Sequence, residues 1–158
     1  MFRIGFGNDI HRLVPGKRLI LGGVEIESDL GADGHSDADA LTHAVTDAIL
    51  GALALGDIGT HFPNSDERWK NADSRTFLKK AIESMKWHGY SVVNVDSTVS
   101  LESPKLRPYI DEIRVHVAKI LEVDQSCISV KAKTGEGVDA VGERKAVRAE
   151  AIVLLRRA

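Results

Sequence analysis

The sequence predicts a single α/β domain, and three observations carry that expectation. Segments rich in Val, Ile and Thr with two-residue alternation take turns with segments whose apolar residues recur every three or four positions. Gly, Pro, Asn and Asp punctuate the boundaries between them. The length of 158 residues suits one domain, able to bury a core without disulfides or metal staples.

Phe2 to Leu13 reads as the first strand, with Gly5 and Gly7 allowing another backbone or a ligand to come close. In RLILGGVEIES the apolar runs flanking Gly22-Gly23 predict a tight hairpin. Asp29 to Gly34 reads as a polar loop, followed by a central amphipathic helix over Ala38 to Leu55 with Asp37 as its N-cap and Asp39 in its first turn. Leu41, Val45, Ala48, Ile49 and Ala52 form the apolar face of that helix, whereas Asp39, His43 and Asp47 fall at i, i+4, i+8 on a separate stripe. After a turn-rich loop from Asp57 to Asp66, a second helix capped by Asp73 or Ser74 places Phe77, Leu78, Ala81, Ile82 and Met85 at core spacing and ends at Gly89. Tyr90 to Leu101 predicts a strand with Val93, Val95, Val99 and Leu101 on one face. Pro104 opens a third helix carrying Tyr109, Ile110, Ile113, Val117, Ile120 and Leu121, and Ser126 to Lys133 is a strand with Ile128, Val130 and Ala132 inward. An irregular segment to Lys145 precedes the final strand, Val147 to Leu155.

Apolar residues at 43% and charged residues at 28% describe a soluble globular chain, and a net charge of -2 argues against a nucleic-acid partner. The longest apolar run, AILGALALG, is too short to span a bilayer, and MFRIGFGNDIHRL has no signal-peptide pattern, so a cytoplasmic or organellar location and no membrane partner are expected. Cys127 is the single cysteine, so any metal must be held by His, Asp and Glu.

The chemistry concentrates in DGHSDADALTHAVTDAILGALALGDIGTHFPNSD, from Asp33 to Asp66, around a helix N-terminus where anions are favoured. On an extended first strand Asp9 and His11 share a face while Ile10 points to the other layer. Spacing alone leaves this pair as a strand end with a solvated histidine. His43, on a helix packed against that strand, supplies a third ligand, and two His with one Asp make an open zinc site with a position free for a ligand oxygen. Asp47, one turn on, either orients a ligand or is a solvent-facing helix acid. His35 and Ser36 precede the helix, where they can serve a phosphate or simply cap.

These pieces resemble one family over essentially the whole chain, the 2-C-methyl-D-erythritol 2,4-cyclodiphosphate synthases. The resemblance rests on RIGFGNDIHRL, on GHSDADALTHAVTDAILGALALGDIGTHFPNSD, on DSTVSLESPKLRPYI and on VKAKTGEG. It implies a single-layer mixed β-sheet with helices on one face, three copies forming a homotrimer with sheets turned to the threefold axis, and active sites between subunits. It implies Zn2+ on Asp9, His11 and His43, and a second divalent ion, Mg2+ or Mn2+, at Glu136 on the substrate diphosphate. It implies that His35 and Thr134 stabilise the transition state. By the same match Ser36 contacts phosphate, Asp57, Ile58, Gly59, Phe62, Pro63, Asn64, Ser65 and Asp66 hold the erythritol, and Leu101, Pro104, Lys105, Leu106, Arg107 and Lys133 receive the cytidine end of a small CDP-linked substrate. The implied reaction closes a ring between two phosphates of the substrate and releases CMP, which explains why no protein nucleophile stands out. Where many members read G-R-G-E-G, this chain has Gly142-Glu143-Arg144-Lys145-Ala146; Glu143 takes no phosphate role and Arg144 is the neighbouring candidate. Ala140 replaces a frequent aromatic and Asn64 a common acid. Two other readings of an open His/Asp site are a zinc phosphodiesterase and a non-catalytic trimeric cytidine-nucleotide binder.

Overall fold

Two glycines decide how the molecule is layered. The computed structural model describes residues Met1–Ala158, and its first strand, β1 (Phe2–Pro15), turns Gly5 and Gly7 toward the helix α1 (Ala40–Ala52). A Cβ at Gly5 would lie 1.7 Å from the Ala48 carbonyl oxygen, and one at Gly7 2.0 Å from that of Ala44. Ala40, Ala44, Ala48 and Ala52, four residues apart on the helix, are all buried. Small residues on both sides therefore let α1 lie directly on the strand.

β1 is one of five strands in a mixed sheet. The others are β4 (Leu30–Asp33), β5 (Tyr90–Ser100), β6 (Ile128–Lys133) and β7 (Ala146–Arg157), in the order β4-β1-β7-β5-β6. Only β5 and β6 run parallel. The hairpin β2 (Leu19–Leu21) and β3 (Val24–Ile26) forms a separate pair around Gly22 and Gly23, both at positive φ as the sequence predicts. The short α2 (Ile58–His61) follows α1; α3 (Arg75–Trp87) packs beside α1, and α4 (Ile110–Leu121) packs on β6. The residues before Ala146 fold into one further short helix, α5 (Asp139–Gly142). The core between helices and sheet includes Leu41, Val45, Ile49, Leu78, Ile113, Val99 and Leu155. Strand residues alternate across this boundary. Gly5, Gly7 and Leu13 face the helices, whereas Phe2, Ile4, Phe6 and Ile10 are exposed on the other face beside Ile152.

Several elements differ from the sequence expectation for identifiable reasons. The central helix is shorter than Ala38 to Leu55 because Ala38 and Ala54 adopt positive φ, and Asp39 rather than Asp37 is the N-cap. It is buried nearly all round, because the hairpin and α3 cover the side opposite the sheet. Asp29 to Gly34 contains a strand, β4, that pairs with the end of β1. Val93 leaves the inward face because a bulge shifts the β5 register between Val92 and Asn94, bringing Val92 inward instead. Pro104 lies in the loop before α4, and a 3-10 turn over Arg107–Tyr109, with Pro108 in it, leads into the helix. Ala132 is exposed at the sheet edge.

Asp39 ties the hairpin turn to the start of α1. Its fully buried carboxylate accepts from the N–H groups of Gly22 (2.9 Å), Gly23 (2.7 Å) and Thr42 (2.9 Å), and from the Thr42 hydroxyl (2.8 Å). Burial pushes this carboxyl up in pKa, against the four donors that favour the ionised form. Asp39→Ala removes the helix cap and orphans buried N–H groups, so a loss of about 3 kcal/mol is expected. A urea denaturation curve measures it as a lowered midpoint at unchanged slope.

Candidate active site and metal centre

Along β1 beyond the two glycines, Asp9 and His11 continue the helix-facing alternation and look up at the first turns of α1. His43 reaches down from that helix. Asp9 Oδ2 lies 2.7 Å from His11 Nε2 and 2.8 Å from His43 Nδ1, and the two ring nitrogens are 3.2 Å apart. The three form a group with ligand atoms within 4.8 Å of one another, His43 buried and the other two partly so. His11 Nδ1 is 3.1 Å from the Asp33 carbonyl oxygen, which can only accept, so Nδ1 carries the proton and Nε2 offers its lone pair. A carboxylate oxygen and imidazole lone pairs that converge this closely repel unless a cation sits among them. The donor set, one oxygen and two nitrogens, fits a divalent metal such as zinc.

Without metal, protons take over that role. Burial raises the Asp9 pKa, but hydrogen bonds and charge from His11 and His43 outweigh it and lower the group from 3.8 to about 2. Burial lowers the His11 pKa, and the hydrogen bond and charge of Asp9 overcome this and raise it above 6.5. In chelator-stripped protein the Asp9 contribution to stability is therefore present above about pH 4 and lost as pH falls through about 2. The His11 contribution is present below about pH 6.5 and lost as pH rises through its raised value. Added zinc competes with the His11 proton, so the gain in melting temperature on metal loading should grow between pH 6 and pH 8. Calorimetry of loaded and stripped protein checks the trend.

The segments around this centre are tied to it. The Ser36 hydroxyl is 3.2 Å from His43 Nε2, and the Ser74 hydroxyl, at the start of α3, is 2.6 Å from the same nitrogen. His35 Nε2 reaches the Asp66 carbonyl oxygen at 3.3 Å, and the Asn71 N–H donates to the His35 carbonyl oxygen, so His35 bridges to the loop after α2. Phe62, Trp69 and Phe77 pack together with ring centroids 4.7 to 5.7 Å apart, Phe77 being 6.0 Å from His43. Phe62 is thus an anchor for its loop. The Asp66 carboxylate is held by Arg68, while Pro63, Asn64 and Ser65 are exposed. Asp57 caps α2 through Thr60, with Ile58 and Gly59 behind it. Asp47 does not orient a metal ligand: its carboxylate accepts from the Ile58 N–H at 2.7 Å and so fixes the Asp57 to Gly59 turn. At the α1 N-terminus the Asp39 carboxylate takes the Thr42 N–H.

A second cluster forms elsewhere on the chain. Leu101, Pro104, Lys105, Leu106, Arg107, Lys133 and Thr134 line one cavity of about 760 Å³. Next to it the Thr134 hydroxyl lies 3.1 Å from Glu136 Oε1, and the Gly135 N–H donates to Glu102, which positions that loop. Lys133 pairs with Ser100, Ser100 with Arg148, and Arg148 with Ile10. Three strand spacings, about 14 Å, therefore separate Thr134 and Glu136 from Asp9 and His11 in one chain.

The YgbB family model matches residues 2–156. The chain belongs to that family. It is 53% identical over 156 residues to the 2-C-methyl-D-erythritol 2,4-cyclodiphosphate synthase of Salinibacter ruber, with 99% of each chain covered. Its fold superposes on the bifunctional IspDF of Campylobacter jejuni with TM-score 0.96 at 36% identity, over 100% of this chain and 43% of that longer one. A 2C-methyl-D-erythritol-2,4-cyclodiphosphate synthase solved with CDP matches with TM-score 0.91 at 40% identity, over 98% of this chain and 100% of the other.

Within this YgbB chain the altered tail has its own partners. The Arg144 guanidinium meets Asp29, just before β4, at 2.6 Å, and Glu143 pairs with Lys145. Sequence reasoning missed Ser74 and Glu102 as site-shaping residues. Ser74 read as a helix cap, and nothing in its local pattern signals contact with a histidine 31 positions earlier.

Proposed function

We propose that this chain is a 2-C-methyl-D-erythritol 2,4-cyclodiphosphate synthase. It converts 4-diphosphocytidyl-2-C-methyl-D-erythritol 2-phosphate to the 2,4-cyclodiphosphate and CMP, in the non-mevalonate route to isoprenoid precursors. The convergence of Asp9, His11 and His43 is the observation that carries this reading, and the family membership of the whole chain supports it.

In this reaction a 2-phosphate oxygen of the substrate bonds to the β-phosphorus, the bond from that phosphorus to the bridging oxygen breaks, and CMP leaves with the electron pair. The substrate supplies its own nucleophile, so the protein's task is to bring two anions together and neutralise them. Zinc on Asp9, His11 and His43, and Mg2+ or Mn2+ at Glu136, would supply positive charge to the phosphate oxygens. His35 and Thr134 donate hydrogen bonds to phosphate oxygens as charge shifts toward the leaving group, with Ser36 beside them. The turn from Asp57 to Gly59 and the loop from Phe62 to Asp66 hold the erythritol. The cavity from Leu101 to Arg107 has an apolar floor for the cytosine, and Lys105, Arg107 and Lys133 at its rim suit the diphosphate.

The 14 Å gap within one chain and the apolar patch of Phe2, Ile4, Phe6, Ile10 and Ile152 favour a homotrimer in which the helix-free sheet faces meet. Each active site would then join the metal centre of one subunit to the Thr134 loop of the next. No helix is long and apolar enough to cross a membrane, in keeping with a cytoplasmic enzyme. The test is CMP release from the CDP-linked substrate, abolished by chelation and restored by zinc plus magnesium. Cleavage of simple phosphodiesters at comparable rate would favour a zinc phosphodiesterase, and nucleotide binding with no turnover a non-catalytic binder. For the split site, inactive His43→Ala and Thr134→Ala chains refolded together should regain about a quarter of wild-type activity, because one interface in four receives both intact halves.

A further inference from the structure

We infer that Ser74 and Asp37 are positioning residues that fix the proton of His43 on Nε2 and thereby direct its Nδ1 lone pair to the metal. The inference rests on the metal-centre reading above. Asp37 accepts from three donors: the Ser74 N–H (3.0 Å), the Asp39 N–H (3.2 Å) and the Ser74 hydroxyl. A carboxylate has no proton to give, so the hydroxyl of Ser74 spends its one proton on Asp37. The remaining lone pairs of Ser74 Oγ can then only accept. The partner facing them, 2.6 Å away, is His43 Nε2, which must therefore carry the hydrogen. With Nε2 protonated, the neutral ring has its lone pair on Nδ1, the atom that meets Asp9 and His11.

The side chain of Ser74 has no competing use. Ser74 precedes α3 but makes no side-chain cap bond to it, and the residue is 0% exposed. A hydroxyl sealed from water with both contacts committed to Asp37 and His43 is a built relay. Ser36 is a weaker second acceptor for the same nitrogen at 3.2 Å. Asp47 makes no such contact, its carboxylate accepting from the Ile58 N–H. The relay joins the segment before α1 and the start of α3 to the metal histidine, so the lone-pair direction is set by tertiary packing and not by neighbours along the helix.

The experiment measures zinc dissociation constants by chelator competition for wild type, Ser74→Ala, Asp37→Asn and His43→Ala. The His43 Nε2–H proton resonance of the zinc-loaded protein is followed in parallel. Ser74→Ala should weaken zinc binding about 10- to 100-fold and lose the exchange-protected Nε2–H signal. Asp37→Asn, whose side-chain carbonyl can still accept from Ser74, should weaken it less and shift that signal. It also keeps the test open should Ser74→Ala fold poorly. Wild-type zinc affinity and an unchanged Nε2–H signal in both variants, with binding lost in His43→Ala, would overturn the relay alone. Zinc binding that His43→Ala does not alter would overturn the metal reading and the relay with it.

Discussion

Replacing His43 by alanine should remove zinc and lower CMP release by at least about a thousandfold, while the fold persists. The loss in rate follows from the charge the site must supply: several kcal/mol of transition-state stabilisation is attributed to a bound metal, and each 1.4 kcal/mol or so is tenfold in rate. The fold persists because His43 sits at the edge of the core, between the alanine stripe of α1 and Phe77, and its ring makes polar contacts that ordered water can replace. Metal analysis, turnover and circular dichroism on the same preparation separate the cases. A variant that keeps its zinc, or that loses zinc but keeps turnover, would contradict the assignment of Asp9, His11 and His43.

Gly5→Ala and Gly7→Ala should be far more destructive to stability than their size suggests. The added carbon at either position would stand within 2.0 Å of a backbone carbonyl oxygen of α1, so the whole helix must lift from β1. No rotamer change relieves a clash with backbone, and a cost of about 4 kcal/mol or more is expected for each. Gly51, the one exposed residue of the same helix, gives the opposite result. A Cβ there meets nothing closer than the Phe6 carbonyl oxygen at 3.8 Å, so Gly51→Ala should stabilise by about 0.5–1 kcal/mol. Chemical denaturation of the three variants measures the contrast. If Gly5→Ala and Gly51→Ala behave alike, the close contact between β1 and α1 is not what seats His43 over Asp9.

The Asp9, His11 and His43 group, which could hold a metal ion, was legible in the sequence because two periodicities expose it. Two-residue alternation puts Asp9 and His11 on one face of β1, and the same face carries Gly5 and Gly7, which invite the helix that bears His43. The Gly22-Gly23 turn was legible for a similar local reason. What escaped was set by tertiary contact. Asp47, one turn from His43, reads either as its orienting partner or as a solvent-facing acid, yet its carboxylate turns to the Ile58 N–H; the hydroxyl that meets His43 Nε2 belongs to Ser74, just before α3. Asp37 reads as the cap of α1, but positive φ at Ala38 moves the helix start on, giving the cap to Asp39 and freeing Asp37 for Ser74. The Val93 bulge breaks the alternation of β5 without a proline or glycine to announce it. The placement of Thr134 depends on strand order, because β7 returns between β1 and β5 and pushes the late loop three strands from the early one. Thr134 and Glu136 thereby lie apart from Asp9, His11 and His43 in one chain.

Ring closure between two phosphates of the substrate is read directly by phosphorus NMR of the products formed from 4-diphosphocytidyl-2-C-methyl-D-erythritol 2-phosphate with zinc and magnesium present. A pair of mutually coupled diphosphate resonances from the cyclic product should appear together with one equivalent of CMP, and neither in the His43→Ala protein. Release of CMP with only linear phosphate esters would contradict ring closure.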